Sequence, residues 1–177
     1  MRIISFLLLA PVAFAGTVAK SPTGACSLIP SATILQLFGE TVSNAKPVPQ
    51  TSGNLIHSQC FYSLPTFINS ISLSVTAPKN HGDAARELWE HLFHGEGGDN
   101  DHDADKSEER EEGAKAVPVP RLGDEAYWVH SFVGNLYVLK GDVFLRISIG
   151  GKLTDEERQK RAKALALAVL SNLKPKR

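Results

Sequence analysis

Cysteine is scarce in this 177-residue chain, with two residues, and so are tryptophan, with two, and methionine, with one. Two cysteines exclude a zinc site built from four thiolates and a disulfide-dense miniprotein. An excess of one charge is lacking too. The 19 Lys and Arg balance 19 Asp and Glu, which argues against electrostatic capture of nucleic acid or of an anionic membrane. After the first fifteen residues no run is apolar enough to cross a bilayer, which takes about 20 residues. Catalytic signatures are missing as well: the chain has no G-x-S-x-G, no H-E-x-x-H, no G-x-x-x-x-G-K-[ST] and no G-x-G-x-x-G.

The apolar run that does exist stands at the start. Arg2 precedes Ile3, Ile4, Phe6, Leu7, Leu8 and Leu9, Pro11 interrupts them, and Ala13-Phe14-Ala15 ends on the small residues that signal peptidase accepts. The sequence therefore predicts a signal peptide over residues 1–15 and an exported domain over 16–177, periplasmic or extracellular. An uncleaved anchor fits poorly, because the run is short and holds a proline. In an exported protein an even pair of cysteines predicts a disulfide, here Cys26 to Cys60, tying the first helix to the second strand. Lipidation of Cys26 is disfavoured by Thr23-Gly24-Ala25, which lacks the apolar residue expected upstream of a lipid-bearing cysteine.

Along the exported part, Pro30 and Ser31 open a short helix through Ile34, Leu35 and Phe38, with Gly39 as its C-terminal cap. Residues 41–50 read as an edge strand, since Pro47 and Pro49 cannot donate to a central ladder, and 55–64 as a second strand. In the third, Phe67, Ile71, Leu73 and Val75 alternate with Ile68, Ser70, Ser72, Ser74 and Thr76, one face core and the other mostly hydroxyl. Asn80 or Asp83 caps a helix with Ala85, Leu88, Trp89, Leu92 and Phe93 on one stripe, stopped at Gly95. Residues 96–113 are so polar that they read as a solvated acidic insertion. Order returns at Val117, with strands over 125–132, 136–140 and 143–149 joined by turns at Gly134-Asn135 and Gly141-Asp142. Thr154 to Glu157 is a capping box, and the last helix lines up Ala162, Leu165, Ala166, Val169, Leu170 and Leu173.

Both halves run strands, then a glycine loop, then an amphipathic helix, which suggests a degenerate internal duplication. The expected class is α+β: a mostly antiparallel sheet of five or six strands with amphipathic helices packed on it.

Cys26-Ser27-Leu28 before a helix ended by Gly39, Cys60-Phe61-Tyr62, Gly123-Asp124-Glu125-Ala126 followed by Tyr127-Trp128, and the closing helix together resemble small bacterial exported domains of unknown function, several of them similar to the PsbP-like α/β sandwich. The resemblance spans most of the exported part. It implies a domain without catalysis and transfers no catalytic residue. The acidic, histidine-containing insertion departs from it.

Few residues suggest chemistry. Asp124 and Glu125 are adjacent acids, yet neighbours on a strand point to opposite faces, so they read as a turn aspartate and a surface glutamate. Trp89, Trp128, Tyr127 and Tyr62 read as core rather than cleft lining, and His57 and His130 as half-exposed sheet residues. The strongest cluster is Glu87, His91 and His94, which fall on one helix face at i, i+4 and i+7, with His102 or a loop aspartate to close a site for a divalent transition metal. The aspartates from Asp99 to Asp105 resemble a calcium loop, but Ala104 stands in the place of the glycine and Arg110 in that of the bidentate glutamate. The leading expectation is an exported non-catalytic binding or interaction domain for an unknown protein or small ligand, with no cofactor and no nucleic acid. The alternatives are an extracytoplasmic metal-binding or metal-buffering protein and a small hydrolase with a dispersed site.

Overall fold

A computed structural model describes residues 24–80, 82–95 and 116–173; the expected signal peptide and the insertion at 96–113 lie outside them. Seven strands form one sheet in the order β1-β2-β3-β7-β6-β5-β4, each antiparallel to its neighbours. They are β1 (Asn44–Ser52), β2 (Leu55–Ser63), β3 (Ile71–Pro78), β4 (Ala116–Pro118), β5 (Glu125–Val129), β6 (Asn135–Lys140) and β7 (Val143–Ile149). Two meanders, β1 to β3 and β4 to β7, meet where β3 pairs with β7. The proline-bearing β1 is an edge strand, as Pro47 and Pro49 require.

Strand alternation divides the side chains between two faces. On the first face Cys60, Leu73, Leu145, Ile147, Leu136 and Val138 are buried beneath helix α3 (Asp155–Asn172), which contributes Ala162, Leu165, Ala166 and Val169. The capping box forms as the sequence predicts: Thr154 Oγ1 accepts from the Glu157 N–H at 3.2 Å, and Glu157 reaches back to the Thr154 N–H. It supplies two of the partners that a helix N-terminus lacks and contributes on the order of 1 kcal/mol. Arg158 is buried too, and its guanidinium donates to the carbonyls of Ile149 and Gly151, tying the helix to the end of β7.

Helix α1 (Ser31–Phe38) packs beside α3, with the Arg161 guanidinium 5.2 Å from the centre of the Phe38 ring. Gly39 ends α1 at φ 71°, a conformation that suits glycine. Ahead of α1 a one-turn 3-10 helix, Ala25–Ser27, is fastened to β2 three times. The Cys26–Cys60 disulfide joins them with Cα atoms 4.9 Å apart, the Tyr62 hydroxyl donates to the Ala25 carbonyl, and the Ala25 N–H donates to Ser58 Oγ.

The second face is covered differently. Helix α2 (Ala84–Phe93) lies over one corner of it, where Ala85 and Trp89 pack on Leu139 and Phe144. The two halves thus share an element order, but their closing helices lie on opposite faces. Among the described residues no helix is long and apolar enough to cross a membrane.

Several expectations need correction. The sheet has seven strands, not five or six, because Ala116–Pro118 pairs with β5; three residues are too few to carry a periodic pattern. Phe67, assigned to the core face of the third strand, sits in a one-turn 3-10 helix, Phe67–Asn69, and is exposed. The strand expected over 125–132 ends at Val129, and Phe132 stands 94% exposed at the tip of the loop that follows. Leu92, assigned to the core stripe of α2, is half exposed. Helix α2 ends one residue before His94, and its cap Asp83 makes no side-chain capping bond.

Candidate functional site

Trp89 is fully buried on α2 and carries one polar atom, an indole N–H that needs an acceptor. Its ring packs 4.4 Å from Phe93 and 6.0 Å from both Tyr127 and Phe144, centre to centre, and Phe93 stacks on Tyr127 at 4.7 Å. The acceptor is Glu125, the first residue of β5, whose Oε2 lies 2.6 Å from Trp89 Nε1. The same carboxylate accepts from the Tyr127 hydroxyl at 2.9 Å and lies 2.9 Å from His94 Nε2.

The turn before β5 makes this possible. Gly123 has φ 66°, and a side chain there would place its Cβ 2.3 Å from the Leu139 carbonyl oxygen. With the backbone drawn against β6, Asp124 turns outward to Lys140 Nζ and the Gly141 N–H, each at 2.6 Å, while Glu125 points onto the second face. The adjacent acids diverge, as strand geometry requires.

Burial raises the Glu125 carboxyl, but hydrogen bonds from His94, Trp89 and Tyr127 outweigh it and hold its pKa below the ordinary value. The hydrogen bond to Glu125 raises His94 above its ordinary 6.5 against the opposing effect of burial. Tyr127 is raised by burial first and by Glu125 second. A raised histidine stabilises the fold fully below its unfolded value and loses that contribution as pH rises through the folded one. A lowered carboxyl contributes above its unfolded value and loses that as pH falls. The contact is therefore firmest between the ordinary Glu value of 4.5 and the ordinary His value of 6.5, and it weakens above the latter. Proton NMR titration is expected to place His94 above 6.5, returning toward it in Glu125→Gln. A His94 titrating at or below 6.5 in the native chain would contradict this contact.

The arrangement recurs on the first face. Trp128 Nε1 donates to Asp155 at 3.1 Å, and His130 Nδ1 lies 3.1 Å from the same carboxylate. In both places a carboxylate anchors a buried indole and a more exposed histidine. The Glu125 cluster is thus first of all the fastening of α2 to the sheet.

Beyond that corner the second face mixes polar side chains with Phe61, whose ring lies 6.1 Å from that of exposed Phe67, and with Val129. Row by row the register sets Gln59, Ser74, Arg146, Tyr137 and Tyr127 side by side, with Phe61, Ser72, Ser148, Asn135 and Val129 in the next row. Gln59 Nε2 donates to Ser72 at 3.0 Å, His57 Nδ1 lies 2.9 Å from Thr76 Oγ1, and Ser148 donates to Asn135 Oδ1. The Arg146 side chain is exposed, and among the described residues it has no hydrogen-bond or ion-pair partner. Beside Glu125 lies an open depression of about 240 Å³ walled by Pro118, Arg121, Asp124 and Tyr127.

Of the residues singled out from sequence, Cys26 and Cys60 are bonded as expected. Trp89, Trp128 and Tyr62 are core, and burial pushes the Tyr62 hydroxyl up to about 12. Glu87 and His91 are exposed on α2, and His94 engages Glu125; His102 and the aspartates from Asp99 to Asp105 lie outside the described residues. Among the described residues no three His, Cys, Asp or Glu side chains are grouped to hold a metal ion.

Sequence reasoning passed over Glu125 as a surface acid and did not single out Arg146. One signal for Glu125 was available: Trp89 on a core stripe must find an acceptor, and Glu125-x-Tyr127 sets two polar groups on one strand face. Set against known proteins, the chain finds no match among family models, curated proteins or solved structures.

Proposed function

We propose that this protein is an exported, non-catalytic binding domain whose ligand face is the part of the second sheet face that α2 leaves open. The observation that carries the reading is the contrast between the two faces. One is a continuous apolar core under α1 and α3, while the other, outside the α2 corner, presents paired amides and hydroxyls around an arginine whose side chain has no partner among the described residues. Side chains held by one another are pre-organised, so less rotamer entropy is lost when a ligand arrives. The resemblance of the cysteine and Gly123-Asp124-Glu125-Ala126 motifs to small exported domains of unknown function, several of them similar to the PsbP-like sandwich, implies a domain without catalysis.

A metal-buffering reading has less behind it. It must draw His94 away from Glu125, to which it is bonded, and recruit His102 from outside the described residues.

Native mass spectrometry of the protein isolated from its own host, without chelator, is the test. We expect a bound molecule that Ser74→Trp removes, because a bulky ring in the middle of the open face blocks it while leaving the core under α3 unaltered. A bound molecule that survives Ser74→Trp overturns the reading, and one stripped by chelator and dependent on His91 and His94 establishes the metal reading instead.

A further inference from the structure

The geometry points to a carboxylate-bearing oligosaccharide as the ligand of the open face, an inference that rests on the binding-face reading and gives it a chemical class. The charged side chains that β1, β2, β3 and β7 present there are Lys46 and Arg146, and among the described residues those strands set no carboxylate on that face. The nearest acid on the face, Glu125, is occupied by three donors. In a chain with equal numbers of acids and bases this local imbalance gives a positive field that no acid on those strands offsets among the described residues.

Arg146 stands directly between Ser74 on β3 and Tyr137 on β6. A guanidinium matches a carboxylate with two parallel hydrogen bonds. Tyr137 beside it is half-buried, its ring in an edge contact with Phe93 of α2 at 5.3 Å between centres, so it is held in place and offers a ligand the part of its ring that Phe93 leaves uncovered, with a hydroxyl at its edge. Gln59, Ser72, Asn135 and Ser148 are already bonded in pairs, yet each amide keeps further donor or acceptor capacity for ligand hydroxyls.

The row from Gln59 to Tyr137 crosses four strands, so three interstrand steps give roughly 14 Å, longer than one sugar ring. Other anionic ligands fit less well. Nucleic acid binding draws on many phosphate contacts, and two cations are few for it. An extended peptide adds to a sheet edge, whereas the backbone of these central strands is already paired on both sides.

The test is amide NMR titration of the folded protein with tetragalacturonate, and with maltotetraose as the neutral counterpart. We expect tetragalacturonate to shift the amides of Ser74, Tyr137 and Arg146 and to bind at least tenfold more tightly than maltotetraose. Arg146→Gln, whose exposed position leaves the melting temperature unchanged, should lose about tenfold for the acidic sugar alone, and Arg146→Lys should lose less. Equal binding of the two sugars, or no effect of Arg146→Gln, overturns the acidic class; the face itself survives that result if the shifts still centre on Ser74 and Tyr137. Shifts elsewhere on the molecule overturn both inferences. No binding of either sugar overturns the oligosaccharide and leaves the face to be judged by the Ser74→Trp measurement.

Discussion

Trp89→Ala is expected to cost about 3–5 kcal/mol, the range for deleting a fully buried large aromatic, and to lower the thermal midpoint by roughly 10 °C in a domain of this size. Two losses combine. The indole fills the space between α2 and the sheet, touching Phe93, Tyr127 and Phe144, and its N–H is one of three donors to Glu125. Trp89→Phe separates them, because it keeps most of the ring and removes only the donor. Denaturant unfolding of both variants is the measurement. A loss below about 1 kcal/mol for the alanine variant, beneath the usual range for such a cavity, would mean that α2 does not depend on this contact.

Breaking the Cys26–Cys60 bridge should have an effect of similar size. The bond closes a loop with a sequence separation of 34, for which restriction of the unfolded chain corresponds to about 3–4 kcal/mol. Cys26→Ala with Cys60→Ala is the variant to compare, and the midpoint should fall by roughly 10 °C. The Tyr62 and Ser58 contacts to Ala25 remain, so hydrogen exchange should show the segment from Ala25 to Ile29 opening before the sheet does. Equal midpoints for the native and double-alanine proteins would sink the prediction.

Some of the site was legible beforehand. The alternation from Ile71 to Val75 placed Leu73 inward and Ser72 and Ser74 outward, and β3 is built so. The rule that strand neighbours diverge separated Asp124 from Glu125 correctly, although it led Glu125 to be set aside as ordinary surface. What it does not reveal is that α2 crosses the corner above β5. Nothing local to Glu125 announces Trp89, 36 residues away in sequence. His94 illustrates the converse. Helical spacing groups it with Glu87 and His91, but the helix ends at Phe93, and the pull of the nearby carboxylate decides where its ring goes.

By itself the sequence determined the elements whose signals are local: the capping box at Thr154, the glycine end of α1, the two-residue turn at Gly141-Asp142, the edge character of β1, and the cysteine pair. Each depends on residues within a few positions, or on the one available partner, so the backbone has little else to choose. Tertiary structure alone decided that β3 lies beside β7, that β4 forms a seventh strand, that α2 and α3 take opposite faces, and that Arg146 has no counter-charge among the described residues. Those outcomes follow from which apolar stripe covers which sheet face. That is a competition among segments far apart in the chain, settled by total burial and invisible to any local window.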